Sequence, residues 1–379
     1  PGWPHIGSAL EASAAPPGVP SLTGMIPIMR SIPTAPVLLC WTFLALACNG
    51  QTPPATEATT AVTEVPYDHV RCGLLDRDGS LWFGTTGGGL FHYDGEHFTN
   101  LTTRDGLIND TVYSLLQDRA GHIWVGTING ASRYDGRSFR NIALPTNTAV
   151  DLPIGPPDPA AMTRMVGCML EDRDGYIWFG TNGGGAYRYD PAAGTADMTN
   201  FIRRTGLFDV VQWMLQDSTG TIWFCSWDNG GVARYDGRDF THYTVQDGLG
   251  DNMVFHATLD RVGNLWFALR DAGVARYNGH GFERTSTKEG LCSNSITSVV
   301  QARDGRYWFT SARNGVCVSD GRNYTALTTA DGLCHHAVWF GLEDRDGRMW
   351  FGTRKSGLCR WDGNGFTDLS TQLAEAWRR

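Results

Sequence analysis

Four of the nine cysteines fall into two pairs of one spacing. Cys292 and Cys317 lie 25 residues apart, and so do Cys334 and Cys359. Thiols at such a repeated separation would form two disulfides in an oxidising compartment. Duplication of two independent buried thiols would leave the same pattern, so both readings stand. Cys72, Cys168 and Cys225 read as small core residues. His335 and His336 could ligate a metal, but neighbours on a strand face opposite ways and no third ligand accompanies them. A glycoside hydrolase would need two carboxylates flanking its bond. Asp228, Asp251 and Asp271 are scattered, with no motif marking an acid and a base. A lyase would need a base, for which His256 and His335 are the candidates. No catalytic residue, metal or cofactor is therefore assigned. What remains is a set of aromatic and cationic residues suited to holding a sugar or a protein surface: Tyr113, Trp227, Arg270, Arg313, Trp339 and Arg354, with Asp228 and His335 beside them.

The elements that must position these residues follow from a period. Seven tryptophans, Trp82, Trp124, Trp178, Trp223, Trp266, Trp308 and Trp350, recur at spacings of 42, 54, 45, 43, 42 and 42. A glycine stands three residues before each, from Gly79 to Gly347. In the first unit, Val70 to Leu75, Leu81 to Thr85, Leu90 to Tyr93 and Phe98 to Leu101 read as strands A to D. They are separated by turns at Asp78-Gly79, Gly87-Gly88-Gly89 and Asp94-Gly95. The repeated Asp-x-Asp-Gly turns fit Asx turns better than calcium loops. Four antiparallel strands per unit and seven units define an all-β chain, a single seven-bladed β-propeller over residues 68–369 with a C-terminal tail at 370–379. Unit two carries a proline-rich insertion between Leu144 and Ala161, and unit three is lengthened between Asp190 and Phe201. A blade cannot bury its own faces, so the Trp-Phe pairs of strand B are expected to fill the wedges between blades. The candidate binding residues fall in the B–C loops and at the starts of the A strands, which share one face.

The unit D-x-D-G-x-(I/L)-W-(F/V)-G-T, continued by a glycine and R-Y-D-G, resembles the two-component regulator propeller repeat. Copies include Asp172 to Asp190 and Asp344 to Asp362, and the resemblance covers roughly residues 70–367. It implies an extracytoplasmic sensor propeller, often tuned to carbohydrate, with a separate membrane sensor kinase as partner because this sequence carries no kinase pattern.

The first residues, 1–28, are rich in Pro, Ala, Gly and Ser and read as an extension. Residues 29–48 follow as a signal peptide, with an apolar run from Val37 to Ala47 that is too short to span a bilayer. Ala45-Leu46-Ala47-Cys48 approximates a lipobox, which would lipidate Cys48. Residues 49–67 read as a flexible Thr/Pro/Ala linker. Acidic residues outnumber basic ones, 39 to 31, which excludes a basic nucleic-acid binder. The expectation is an exported, periplasmic or cell-surface protein that touches the membrane only through a lipid anchor. It would bind a glycan or protein ligand on its loop face, with a propeller lyase or glycosidase as the alternative.

Overall fold

The computed structural model describes residues 69–145, 164–193, 199–201, 207–355 and 357–379. The signal segment, Cys48, the linker and most of the proline-rich insertion lie outside the described residues. Seven four-stranded sheets are present, each pairing its strands antiparallel in sequence order. Blade 1 holds Val70–Leu75, Leu81–Thr85, Leu90–Tyr93 and Phe98–Leu101. Blade 7 holds Val338–Glu343, Met349–Thr353, Leu358–Trp361 and Phe366–Asp368. The fold is thus the all-β, seven-bladed propeller expected from the period.

The core lies in the seams between blades. One apolar cluster joins Phe83 and Tyr93 of blade 1 to Trp350 and Leu358 of blade 7, and another joins Trp178 and Phe201 of blade 3 to Met214 and Phe224 of blade 4. The Trp-Phe dipeptide of strand B serves two seams. Its tryptophan meets the phenylalanine of the next blade, with ring centroids 5.9 Å apart for Trp124 and Phe179, 5.8 Å for Trp178 and Phe224, and 5.6 Å for Trp350 and Phe83. The glycine that follows is forced by the same closeness. A methyl at Gly352 would overlap the Phe340 ring and meet the Val70 carbonyl of the adjoining blade.

A tryptophan buried in a seam must place its indole N–H. In six blades it donates to an aspartate six residues earlier: Asp76, Asp118, Asp172, Asp217, Asp260 and Asp344 accept from their tryptophans at 2.7–2.9 Å. The other carboxylate oxygen caps the A–B turn, as Asp76 does by accepting from the amides of Asp78, Gly79 and Ser80, each at 2.9 Å. Gly79 sits at φ +98°, the left-handed conformation this turn requires. These are the Asx turns expected from the sequence. Blade 6 has Ala302 in place of the aspartate, and the Trp308 indole nitrogen is buried with no partner.

The arginine of the same turn staples one blade to the next. Arg77 donates to the Arg119 carbonyl at 2.9 Å, Arg119 to those of Asp172 and Arg173 at 2.6 and 2.9 Å, and Arg261 to those of Ala302 and Arg303 at 2.9 and 2.8 Å. Arg173 and Arg303 repeat the contact. Blade 4 has Ser218 at this position and makes no such reach toward blade 5.

Residues 370–379 are not a tail. Ser370–Arg378 forms a helix, α1, whose Leu373 and Ala376 are buried with Phe91, Phe98 and Leu369 while Trp377 packs against them. The spacing Leu369, Leu373, Ala376, Trp377 is one apolar helical face. The helix therefore covers the seam where blade 7 meets blade 1. Blade 7 supplies all four of its own strands, and the start of the described chain joins it through one antiparallel bridge, His69 to Arg354. The D–A connections of blades 1, 4, 5 and 6 each contain a single 3₁₀ turn with a complete capping box, for example Thr103–Asp105 behind Thr102.

Blade 6 yields the first expected outcome. Ala302→Asp should raise stability by about 1 kcal/mol by giving Trp308 an acceptor, whereas Asp344→Ala should cost about 2–4 kcal/mol by orphaning Trp350 and uncapping its turn. Thermal unfolding of both variants beside the parent checks the pair. The second concerns acid. Burial opposes the charge on Asp118, Asp217, Asp260 and Asp344, but the hydrogen bonds from indole and turn outweigh it and hold these carboxyls below their ordinary value. A carboxyl lowered in the folded state stabilises fully above its unfolded value, about 3.9, and loses that contribution as pH falls through the folded value. The melting temperature should therefore hold down to about pH 4.5 on account of these groups and fall steeply below about pH 4. A decline centred near pH 6 would contradict it.

Candidate functional site

Every A strand slips register by one residue just after it starts. In blade 1, Val70 pairs with Thr85 and Cys72 with Gly84, leaving Arg71 between them without a partner residue. The same bulge recurs in all seven blades. A bulge re-aims the extra side chain. The seven bulged residues, Arg71, Tyr113, Gly167, Gln212, Phe255, Thr297 and Trp339, all line one central cavity of about 140 Å³. Met165, Trp213, His256 and Phe340 complete much of its wall, and no acidic residue lines it. Thr297 is anchored elsewhere, its hydroxyl bonding to the Val338 carbonyl at 2.6 Å.

Arg71 dominates the electrostatics. Its guanidinium lies 4.3 Å from the Trp339 ring centroid and 6.0 Å from that of Tyr113. No hydrogen bond or ion pair joins it to a described residue. Burial lowers its pKa, which the neighbouring Tyr113 partly opposes. A guanidinium remains charged regardless. Two polar atoms of wall residues are buried without partners, Nε1 of Trp339 and Nδ1 of His256. The His256 ring lies 4.2 Å from that of Trp213, and burial pushes its pKa down to about 3. Such a group is neutral at ordinary pH and a weak general base there.

Of the residues expected to bind ligand, Tyr113 and Trp339 are brought together across Arg71. Trp227 is half-buried against Phe255, ring centroids 4.6 Å apart, on the rim. Asp228 receives the Ser226 hydroxyl, and Arg270 pairs with Asp271 at 3.1 Å, so both are locally engaged. Arg313 is exposed on the blade 6 loop. On blade 7, Arg354 and Lys355 lie close enough to His335 to lower its pKa, after burial and the neighbouring His336. His335 accepts the Ala337 amide at Nδ1, 3.0 Å away, and stacks on His336 at 4.2 Å. Asn229 and Lys355 adopt left-handed backbone at φ 68° and 56°, in the B–C loops that carry Asp228 and Arg354. Among the described residues, no group of three or more His, Cys, Asp or Glu is placed to hold a metal.

Arg71 is not among the residues that the sequence singles out. The signal was weak. A bulge breaks alternation, so a cation one place after Val70 reads as an outward strand residue.

The cysteines are paired in the structure. Cys292–Cys317 and Cys334–Cys359 join the D–A loops of blades 6 and 7 to strand C, with Cα separations of 5.6 and 5.9 Å, inside the ~7 Å limit for a bridge. Cys168 and Cys225 are buried, Cys72 and Cys168 both line the cavity, and burial pushes the Cys72 thiol up to about 12.

Fold and site together define a seven-bladed propeller with a bulge-lined, singly cationic channel. A family model described as two component regulator propeller matches residues 106–129, 162–183 and 290–313. Comparison with curated protein sequences finds no match. The structure is similar to the extracellular domain of a hybrid two component system from B. thetaiotaomicron, at 19% identity and TM-score 0.48, over 79% of this chain and 51% of that one. This chain thus spans about half the length of that relative. It is also similar to a catalytically inactive histidine-to-alanine variant of virginiamycin B lyase from Staphylococcus aureus with quinupristin, at 14% identity and TM-score 0.60, over 79% and 96%. A third likeness is to PorZ, a surface component of the type-IX secretion system of Porphyromonas gingivalis, at 17% identity and TM-score 0.55, over 73% and 45%. At these identities the last two likenesses show the fold alone, and such a fold hosts several functions. No helix among the described residues is long and apolar enough to cross a membrane.

The bridges carry a prediction of their own. Each closes a loop of 25 residues, and its loss should cost about 3 kcal/mol. Cys334→Ser with Cys359→Ser should lower the melting temperature by several degrees, and dithiothreitol should lower that of the parent but not that of the variant lacking all four cysteines.

Proposed function

We propose that this chain is an exported, sensor-type binding propeller that takes its ligand where the seven A strands open the central channel onto the loop face. The ligand would be a glycan or a protein segment, held by Tyr113 and Trp339 at the mouth. Trp227 extends the rim, and the blade 7 loop adds Arg354 and His335. Arg313, Asp228 and Arg270 lie outward of this group and would meet only a larger ligand. The supporting observation is that polar atoms converge on the channel wall without protein partners, whereas the strand B positions that build the seams are nearly invariant among the seven copies. Export is proposed from the apolar run Val37 to Ala47, and a lipid anchor from Cys48. A membrane sensor kinase is the proposed downstream partner. The enzyme alternative would assign a base to His256, and a histidine held near 3 by burial weighs against it.

A thermal-shift and glycan-array screen of the full chain tests the reading. A true ligand raises the melting temperature with its concentration. That shift should vanish in Trp339→Ala and weaken in Trp227→Ala. A ligand whose shift survives Trp339→Ala removes the site from the channel, and chemical turnover of any hit assigns an enzyme instead.

A further inference from the structure

We propose that the channel seats the carboxylate of an organic acid on Arg71, with the body of the acid lying between the rings of Trp339, Tyr113 and Trp213. This rests on the reading that the channel is the ligand site and names the chemistry of what enters it.

The argument begins from an imbalance. Arg71 is half-buried, and a guanidinium partly withdrawn from water normally has an anion beside it, because the lost hydration is otherwise uncompensated. Arg71 has aromatic faces instead, at 4.3 and 6.0 Å. Cation–π contact recovers part of that cost and holds the fork in place without using its N–H donors. Those donors are arranged to meet two oxygens in a plane, the geometry of a carboxylate. The Trp339 indole N–H, itself unpartnered, is a third donor beside the guanidinium. An indole N–H can only donate, so it too calls for an acceptor on the ligand.

Charge count chooses among anions. The cavity wall carries one fixed positive charge and no acid, and His256 contributes none at neutral pH. One negative charge balances it. A phosphate dianion would leave a charge unmatched among Phe255, Phe340 and Met165. Chloride would leave the flat rings and most of the 140 Å³ without a partner. A monocarboxylate with an apolar or ring-shaped body satisfies the donors and the walls together.

The test uses the full chain and matched pairs differing only in charge: phenylacetate against phenylacetamide, glucuronate against glucose, and a tripeptide ending in phenylalanine with a free or an amidated C-terminus. Binding is read by tryptophan fluorescence and calorimetry. In at least one pair the acid should bind at least about tenfold tighter than its neutral partner, as charge-assisted bonds to arginine imply. The successful pair identifies whether the acid is a free aromatic one, a sugar acid or a chain end. Arg71→Met should abolish that preference while leaving the melting temperature of the free protein equal or higher, since it removes a half-buried charge that has no acid beside it. Equal binding of acid and neutral partner, lost in Trp339→Ala, would overturn the carboxylate and leave the channel reading intact. Failure of every probe to respond to Trp339→Ala would overturn both. Inorganic phosphate or chloride displacing the acids at equal concentration would replace an organic acid by a simple anion, and a large fall in stability of Arg71→Met would make Arg71 a structural group.

Discussion

The structure depends on one hydrogen bond, from the indole of a seam tryptophan to an aspartate six residues earlier. The flat ring fills the wedge between diverging sheets, but it brings a donor into a dry seam. The acceptor must be close and is itself costly to bury unless its remaining oxygen is satisfied. The A–B turn supplies that satisfaction through its own amides, and the turn closes only because a glycine takes the left-handed conformation. Turn, carboxylate and ring thus solve one another's problems. Blade 6 separates the parts. With Ala302 the turn still closes through backbone bonds, Ala302 to Arg306 at 2.8 Å and Gly305 to Ala302 at 2.9 Å. What is lost is the carboxylate cap on the turn amides and, with it, the partner of Trp308. The carboxylate is therefore there for the ring as much as for the turn.

Around that bond the blades are fastened at three radii. Near the channel, Ser114 reaches the Val166 carbonyl of the next blade at 3.1 Å, and Thr297 reaches that of Val338. At mid-radius the tryptophans meet the next blade's phenylalanines. On the turn face the arginine staples cross most seams, with Ser218 leaving one without. The covalent bridges sit in blades 6 and 7, beside the seam where the chain's two ends must meet. Among the described residues, closure there relies on side chains, on the His69 bridge and on the apolar face of α1, with no strand exchanged across it. Among the described residues a single backbone bridge spans this last seam, so the disulfides beside it and the helix add to its fastening.

Much of this was legible in the residues. The tryptophan period, the glycine three before it and the Asp-Gly hairpin turns are local in sequence, and the strands of blade 1 fall where those signals place them. The equal 25-residue spacing also placed the cysteines on matching positions of two blades. Other features were not legible, for reasons of distance and register. The helix at 370–378 follows an all-β run, and its few apolar positions gain meaning only beside Phe91 and Phe98 of the first blade. The bulge is invisible to alternation because it consists of breaking it. Arg71 and Trp339 are 268 positions apart in the chain and meet only because the ring closes. Trp227 and Trp339 looked equivalent as departures from the repeat, yet one rests on Phe255 at the rim and the other walls the cavity.

That contrast explains how one repeat can be both rigid and specific. The strand B residues are constrained from both sides, by the preceding blade and the following one, so substitution there disturbs two seams. The bulged residue of strand A touches no ladder partner and fills no wedge. In most blades it is a position whose side chain the scaffold does not use, Thr297 with its bond to the Val338 carbonyl being an exception, and seven such positions are carried to a single cavity. Their identities can change without disturbing the seams, which is why Gly167, Gln212 and Trp339 occupy equivalent places in one molecule. Groups such as Arg71, half-buried with no anion beside it, reduce the stability of the free protein, and the aromatic seams offset that cost. A stable ring of repeated bonds is therefore what allows an unsatisfied charge to persist at its centre.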